Sequence, residues 1–172
     1  MKAAHANEAG SEHAVASTYY QFLEISVREL LIEKGVLSAE DIRNAVEEMD
    51  SRGPELGAQV VARAWVDPQF KQSLLQDATA AVKALGIDIG PLQLLVVENT
   101  TEVHNLIVCT LCSCYPRTLL GLPPDWYKSR EYRSRAVREP RAVLREFGTD
   151  IPDEVEVRVH DSTADLRYLV LP

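Results

Sequence analysis

Apolar residues recur every three or four positions through the first half of the chain, then shift to a shorter period after residue 90. The sequence therefore predicts helices first and a mixed body afterwards. Residues 18–34, TYYQFLEISVRELLIEK, read as a helix stopped by Gly35. Ser38-Ala-Glu-Asp41 has the form of a capping box and opens a second helix to about residue 50. Gly53-Pro54 interrupts, and a third helix is expected over 55–66. Asp67-Pro68 supplies an N-cap with proline at the first helical position, so a fourth helix is expected over 68–85, closed by Gly86. The β-branched and leucine-rich runs 92–98 and 103–108 read as strands. Gly121-Leu-Pro-Pro124 turns the chain, and 140–147 reads as a short helix ended by Gly148. The alternating stretch 154–159 is expected to pair with 166–171 as a hairpin through the turn 161–165.

This pattern implies an α+β fold, an N-terminal helical arm followed by a layered α-β-β-α body. The expected divisions are a disordered tail over 1–16, the arm over 17–52 and a catalytic α+β domain over 53–172. His5 and His13 fall in the tail and are expected to be inert.

Composition narrows the function classes. With 172 residues, 46% hydrophobic and 26% charged, the chain is long enough for a core that needs no disulfide. A net charge of -8 argues against general nucleic-acid binding. The polar, Ala-rich start does not read as a secretory signal, and the longest apolar run, around 94–97, is far too short to cross a bilayer. No membrane partner is expected, and a reducing cytoplasm is the default location.

All three cysteines, Cys109, Cys112 and Cys114, lie in one stretch, VCTLCSCYP over 108–116. Clustered thiols in a reducing compartment point to metal or redox chemistry rather than to a disulfide framework. A structural zinc would need His104 or His160 as a fourth ligand, and a cluster of iron and sulfur wants a fourth cysteine. A less usual site also fits the spacing. The main-chain nitrogens of Ser113 and Cys114 lie between the sulfurs of Cys112 and Cys114, giving an N₂S₂ set with Cys109 as an axial fifth donor and one position open. Only a strongly polarising trivalent ion would displace two amide protons.

The segment VCTLCSC resembles the metal-binding loop of the nitrile hydratase α subunit. The resemblance extends through Gly53-Pro54, Asp67-Pro68, Val96-Val-Glu-Asn-Thr100, His104-Asn105, Leu120-Gly-Leu-Pro-Pro-Asp-Trp-Tyr-Lys-Ser129 and Arg167-Tyr-Leu-Val-Leu-Pro172. It covers about residues 20–172. It implies a lyase that hydrates nitriles to amides. The metal ligands would be Cys109, Cys112, Ser113 and Cys114, holding non-corrin cobalt(III), with non-haem iron(III) as the alternative. Threonine at position 110, after the first cysteine, goes with the cobalt type. The resemblance further implies Cys112 as cysteine sulfinic acid and Cys114 as cysteine sulfenic acid, with Cys114 and Ser113 at the catalytic centre. It also implies a heteromer with a β subunit, in one chain or more.

Two positions depart from that family's pattern. Arg117-Thr118 stands where many members have Trp-Pro, so Arg117 is expected to favour a polar, large or anionic substrate, or else to face the partner. Gln93 is the nearest glutamine to a position at Gly90-Pro91 where many members carry one. These departures keep open thiocyanate hydrolase, whose metal-binding subunit uses the same loop. The resemblance places Arg167 at the partner interface. Residues 128–145 hold seven basic and two acidic side chains, and Trp126, Tyr127 and Tyr132 lie in or beside them. That stretch is expected to dock the β subunit, with a solvated helix face as the plainer reading. His104 is expected to be structural.

Overall fold

The computed structural model describes the backbone from Glu8 and side chains from Thr18, so the N-terminal part of the expected tail, with His5, lies outside the described residues. The chain divides into two compact units, one ending at Glu48 and one spanning Met49–Pro172.

In the first unit α1 (Glu8–Glu33) is continuous from within the expected tail. It ends before Gly35, whose φ of 66° suits the left-handed cap position. Tyr19, Phe22, Leu23, Ile25 and Leu30 are exposed along it. The expected capping box opens α2 (Ala39–Asp50). The Asp41 amide donates to Ser38 Oγ at 3.0 Å, and the Ser38 amide donates to Asp41 Oδ2 at 2.8 Å.

The second unit begins with α3 (Glu55–Val66) and α4 (Pro68–Gln76), joined at Asp67, which accepts from the amides of Gln69 and Phe70. The single helix expected over 68–85 is broken. Asp77 leaves helical geometry at φ -145° and ψ 86°, and its side chain caps α5 (Ala78–Ala84) by accepting from the Ala80 amide. Aspartate competes for backbone donors, and here that competition starts a new helix instead of extending the old one. The helical packing of Val60, Leu74 and Val82 against Leu94, Val96, Leu169 and Leu171 forms one core.

The strands are β1 (Gln93–Glu98), β2 (Val103–Val108), β3 (Glu156–Asp161) and β4 (Leu166–Leu171). The hairpin expectation fails. β1 pairs with β4 and β2 with β3, both in parallel. The segment between β3 and β4 does not close a hairpin ladder; its first residue instead extends the pairing with β2. The Ser162 amide donates to the Val108 carbonyl at 2.7 Å. The turn from β1 to β2 is closed by buried polar contacts. Asn105 donates from its side-chain amide to the Glu98 carbonyl at 2.8 Å and from its main-chain N–H to Asn99 Oδ1 at 2.7 Å.

Between β2 and β3 run α6 (Arg117–Leu120), α7 (Asp125–Lys128), α8 (Arg130–Arg138) and α9 (Pro140–Glu146). α8 presents Tyr132 and Ala136 inward, where they meet Val108, Tyr127 and Val143 in a second core. Among the described residues no helix is long and apolar enough to cross a membrane.

Candidate metal centre

β2 delivers the chain into the cysteine loop from Val108, which is fully buried in the second core. The loop leaves through Pro116 into α6, where Leu119 is fully buried in the first. Both ends are therefore fixed, each by a different core.

Within that span the three Sγ atoms lie within 4.8 Å of one another. Cys109 and Cys112 are 3.8 Å apart, and Cys112 and Cys114 are 3.0 Å apart. All three are free thiols. Cys109 (1% exposed) and Cys114 are buried, and Cys112 is exposed, so the cluster meets the surface on its Cys112 side. Ser113 has φ 68°, the one positive φ at a non-glycine residue among those described. A serine held there stores roughly 1–3 kcal/mol of strain. This curl between Cys112 and Cys114 goes with the convergence of their sulfurs.

The electrostatics of the two buried thiols diverge. Burial opposes ionisation of Cys109, but the amides of Cys112, Cys114 and Leu111 point at its sulfur and bring it down to about 7. The Cys112 amide lies 3.3 Å from it. Burial pushes Cys114 up to about 12, helped by the Cys112 and Cys109 sulfurs and opposed by the positive charge of Arg167. The amides around Cys109 favour its thiolate, while burial and the neighbouring sulfurs disfavour that of Cys114. A cation among the sulfurs would relieve that conflict, so the donor set fits a tightly held metal ion. Neither histidine joins it: among the described residues the candidate ligand group is the three cysteines alone. His160 Nε2 is instead 2.8 Å from Asn105 Oδ1, and half-buried His104 sits on β2 opposite Val157. The zinc site completed by a histidine is not formed.

Side chains distant in sequence hold the loop. Asp161, at the end of β3, receives the Thr110 amide at 2.9 Å and the Thr110 hydroxyl at 2.6 Å. Arg133 of α8 donates to the Leu111 carbonyl at 2.8 Å. Tyr127 donates its hydroxyl to the Cys114 carbonyl at 2.9 Å. The turn expected over 161–165 hides the first of these, Asp161, and the basic run over 128–145 hides the second, Arg133. Only the long-range pairing of β2 with β3 reveals the first. The second had a weak signal, an arginine three residues into a helix that follows an N-capping serine.

The remaining expected site residues scatter. Arg117 is exposed at the loop's exit, with Nη1 3.7 Å from Met49 Sδ. Gln93 and Arg167 line one small cleft with Pro116, Thr118 and Leu119. Arg167 bonds the Thr163 carbonyl, and its Nε is buried without a partner. Tyr127 is buried in this chain's own core, so it offers no surface to a partner; Trp126, at 47% exposure, does. The basic stretch is largely consumed internally. Arg135 pairs with Glu139 and Glu146, Arg145 with Asp150, and Arg141 donates to three carbonyls between Ile151 and Val155.

The sequence profile of the family described as nitrile hydratase, alpha chain, matches residues 18–172. The α subunit of the low-molecular-weight cobalt-containing nitrile hydratase of Rhodococcus rhodochrous is 54% identical over 147 residues, 83% of this chain and 70% of the relative. A recombinant thiocyanate hydrolase with partially modified cobalt centres superposes with a TM-score of 0.82 at 44% identity, covering 89% of this chain and 76% of the other. A double mutant of the iron-type nitrile hydratase of Comamonas testosteroni Ni1 superposes with a TM-score of 0.81 at 41% identity, covering 92% and 77%.

Proposed function

The chain belongs to the nitrile hydratase α-chain family, and from that premise we propose that it is the metal-holding subunit of an enzyme that hydrates a nitrile to its amide. The observation that carries the reading is the convergence of three free sulfurs around a strained Ser113 in a loop anchored by two cores. Cys109, Cys112 and Cys114 supply sulfur, and the main-chain nitrogens of Ser113 and Cys114 complete the donor set. The ion we assign is cobalt(III), with iron(III) as the alternative. Thr110 and the cobalt-containing relatives favour the first. Such an ion, when bound, supplies Lewis acidity toward the nitrile.

The protein's own part is to hold and shield that loop. Asp161, Arg133 and Tyr127 fix its main chain at Thr110, Leu111 and Cys114. Cys112 and Cys114 are taken as sulfinate and sulfenate, the oxidised forms of metal-activated thiolates. Arginines of the β-type partner are expected to pair with those oxygens, and Arg167, whose charge acts on Cys114, stands on this chain's side of that interface. Arg117 lies exposed after Pro116 and favours a polar or anionic substrate, and Gln93 and Arg167 share a cleft with Pro116 and Thr118. A β-type partner, in one chain or more, completes the site. The exposed apolar residues of α1 and the half-exposed Trp126 are the surfaces it would cover. A cytoplasmic location goes with reduced thiols available for metal loading.

Arg117 also favours a second reading, thiocyanate hydrolysis, since a cation beside the site suits an anionic substrate. The test is to purify the chain with its partner, determine its metal, and assay nitriles and thiocyanate in parallel. Amide formation with cobalt present supports the first reading. Turnover of thiocyanate alone supports the second. A zinc-loaded complex inert toward both contradicts each.

A further inference from the structure

Ser162 is 2% exposed, yet its hydroxyl meets no hydrogen-bond partner. Buried hydroxyls are rarely left so, and each exception calls for a physical explanation. The parallel ladder pairs Val108 with Asp161, and the next residues in line are Cys109 and Ser162. The Ser162 amide extends that ladder by donating to the Val108 carbonyl at 2.7 Å. Residues paired across a parallel ladder share a face, so continuing the register by one step sets Ser162 opposite Cys109. Cys109 is as deeply buried, at 1%. Tyr127 senses both: burial raises it first, then the charges of Tyr132 and Cys109, while the Ser162 hydroxyl acts in the opposite direction. The Tyr127 hydroxyl donates to the Cys114 carbonyl, so its oxygen is the competing acceptor for the Ser162 hydroxyl in the metal-free loop.

We propose that Ser162 is a positioning residue for the buried sulfur donor, its hydroxyl turning to donate to the Cys109 thiolate once that sulfur is ionised and ligated. A thiolate is a better acceptor than a thiol, so the orphaned hydroxyl gains its partner when the loop is loaded. Donation to a ligating sulfur draws electron density from it and tunes the centre, as outer hydrogen bonds do at other metal sites. The inference rests on the metal-holding function proposed above and goes beyond it, because it assigns a role to a residue outside the ligand loop.

The experiment compares wild type, Ser162→Ala and Ser162→Thr in the purified, metal-loaded complex. The readouts are the sulfur-to-metal charge-transfer absorption, the rate of metal loss to a chelator, and the melting temperature. Ser162→Ala is expected to shift the band to lower energy, because a sulfur without its donor gives up charge more readily. It should also release metal on the order of 10-fold faster. Ser162→Thr keeps a hydroxyl and should restore the wild-type band and rate. A Ser162→Ala band and release rate equal to wild type, with or without a change in melting temperature, overturns the role. A wild-type complex with no such band overturns the underlying metal assignment instead, so the two failures are distinct.

Discussion

Removing the Asp161 carboxylate tests how the loop is held. Asp161 accepts two hydrogen bonds from Thr110, at 2.9 Å from the amide and 2.6 Å from the hydroxyl. Hydrogen bonds to a charged group contribute about 1.5–3 kcal/mol each when shielded. Both residues are exposed, and water can replace the lost acceptor, so the working figure falls to about 1–2 kcal/mol for the pair. For a chain of this size each kcal/mol shifts the midpoint by roughly 2–4 °C, so Asp161→Ala should lower it by roughly 2–8 °C. The assay is thermal unfolding of the metal-free chain under reducing conditions, run as a cycle with Thr110→Val. Thr110→Val removes the hydroxyl bond alone, so the double variant should lose less than the sum of the singles by about 0.5–1 kcal/mol. Strict additivity would refute the clamp, because it would mean that the two side chains contribute independently.

Other expectations concern the frame around the loop. A Cβ on Gly57 would lie 2.7 Å from the Leu119 carbonyl and 2.5 Å from Leu120 Cδ2, so Gly57→Ala must push α3 from α6, the helix into which the loop runs. Overpacking of that kind costs about 1–3 kcal/mol, more than the roughly 1 kcal/mol that alanine returns in helix propensity. Denaturant unfolding should show a net loss, and a more stable variant would contradict the close approach. The thiols set a pH dependence in the metal-free chain. Cys109, lowered from 9.0 to about 7, stabilises the fold fully above pH 9, and that contribution is lost as the pH falls to 7. Cys114, raised to about 12, stabilises it below pH 9, and that is lost as the pH climbs toward 12. The contribution of the loop should therefore peak near pH 9, seen as the difference in melting temperature from a variant with all three cysteines replaced by alanine. A difference that does not change with pH would contradict the divergent environments of the two sulfurs.

The parts of this molecule that local chemistry determines were legible in the sequence. The caps at Ser38 and Asp67 and the glycine stop at Gly86 signal helix boundaries through side-chain and φ requirements that act within a few residues. Strand β2 and the cysteine loop were readable for the same reason, and the family resemblance gave the loop its ligand set. Asp77 was misread because an aspartate inside an alanine-rich stretch can sit in a helix or cap a new one, and only the packing of α5 on β1 decides. The pairing of β3 and β4 was misread because a five-residue spacer satisfies a hairpin locally. The real partners, β2 and β1, lie far off in sequence. That error concealed Asp161 and Ser162, which reach the loop only because β3 lies beside β2.

The proposed centre has five donors from one short loop around a trivalent ion, two of them deprotonated main-chain nitrogens. X-ray absorption at the metal edge of the purified complex, with elemental analysis, tests this most directly. The expected result is cobalt or iron bound by mixed sulfur and nitrogen or oxygen neighbours in a five- or six-coordinate environment. A four-coordinate tetrahedral site holding zinc, with the Ser113 and Cys114 amides still protonated, would contradict it.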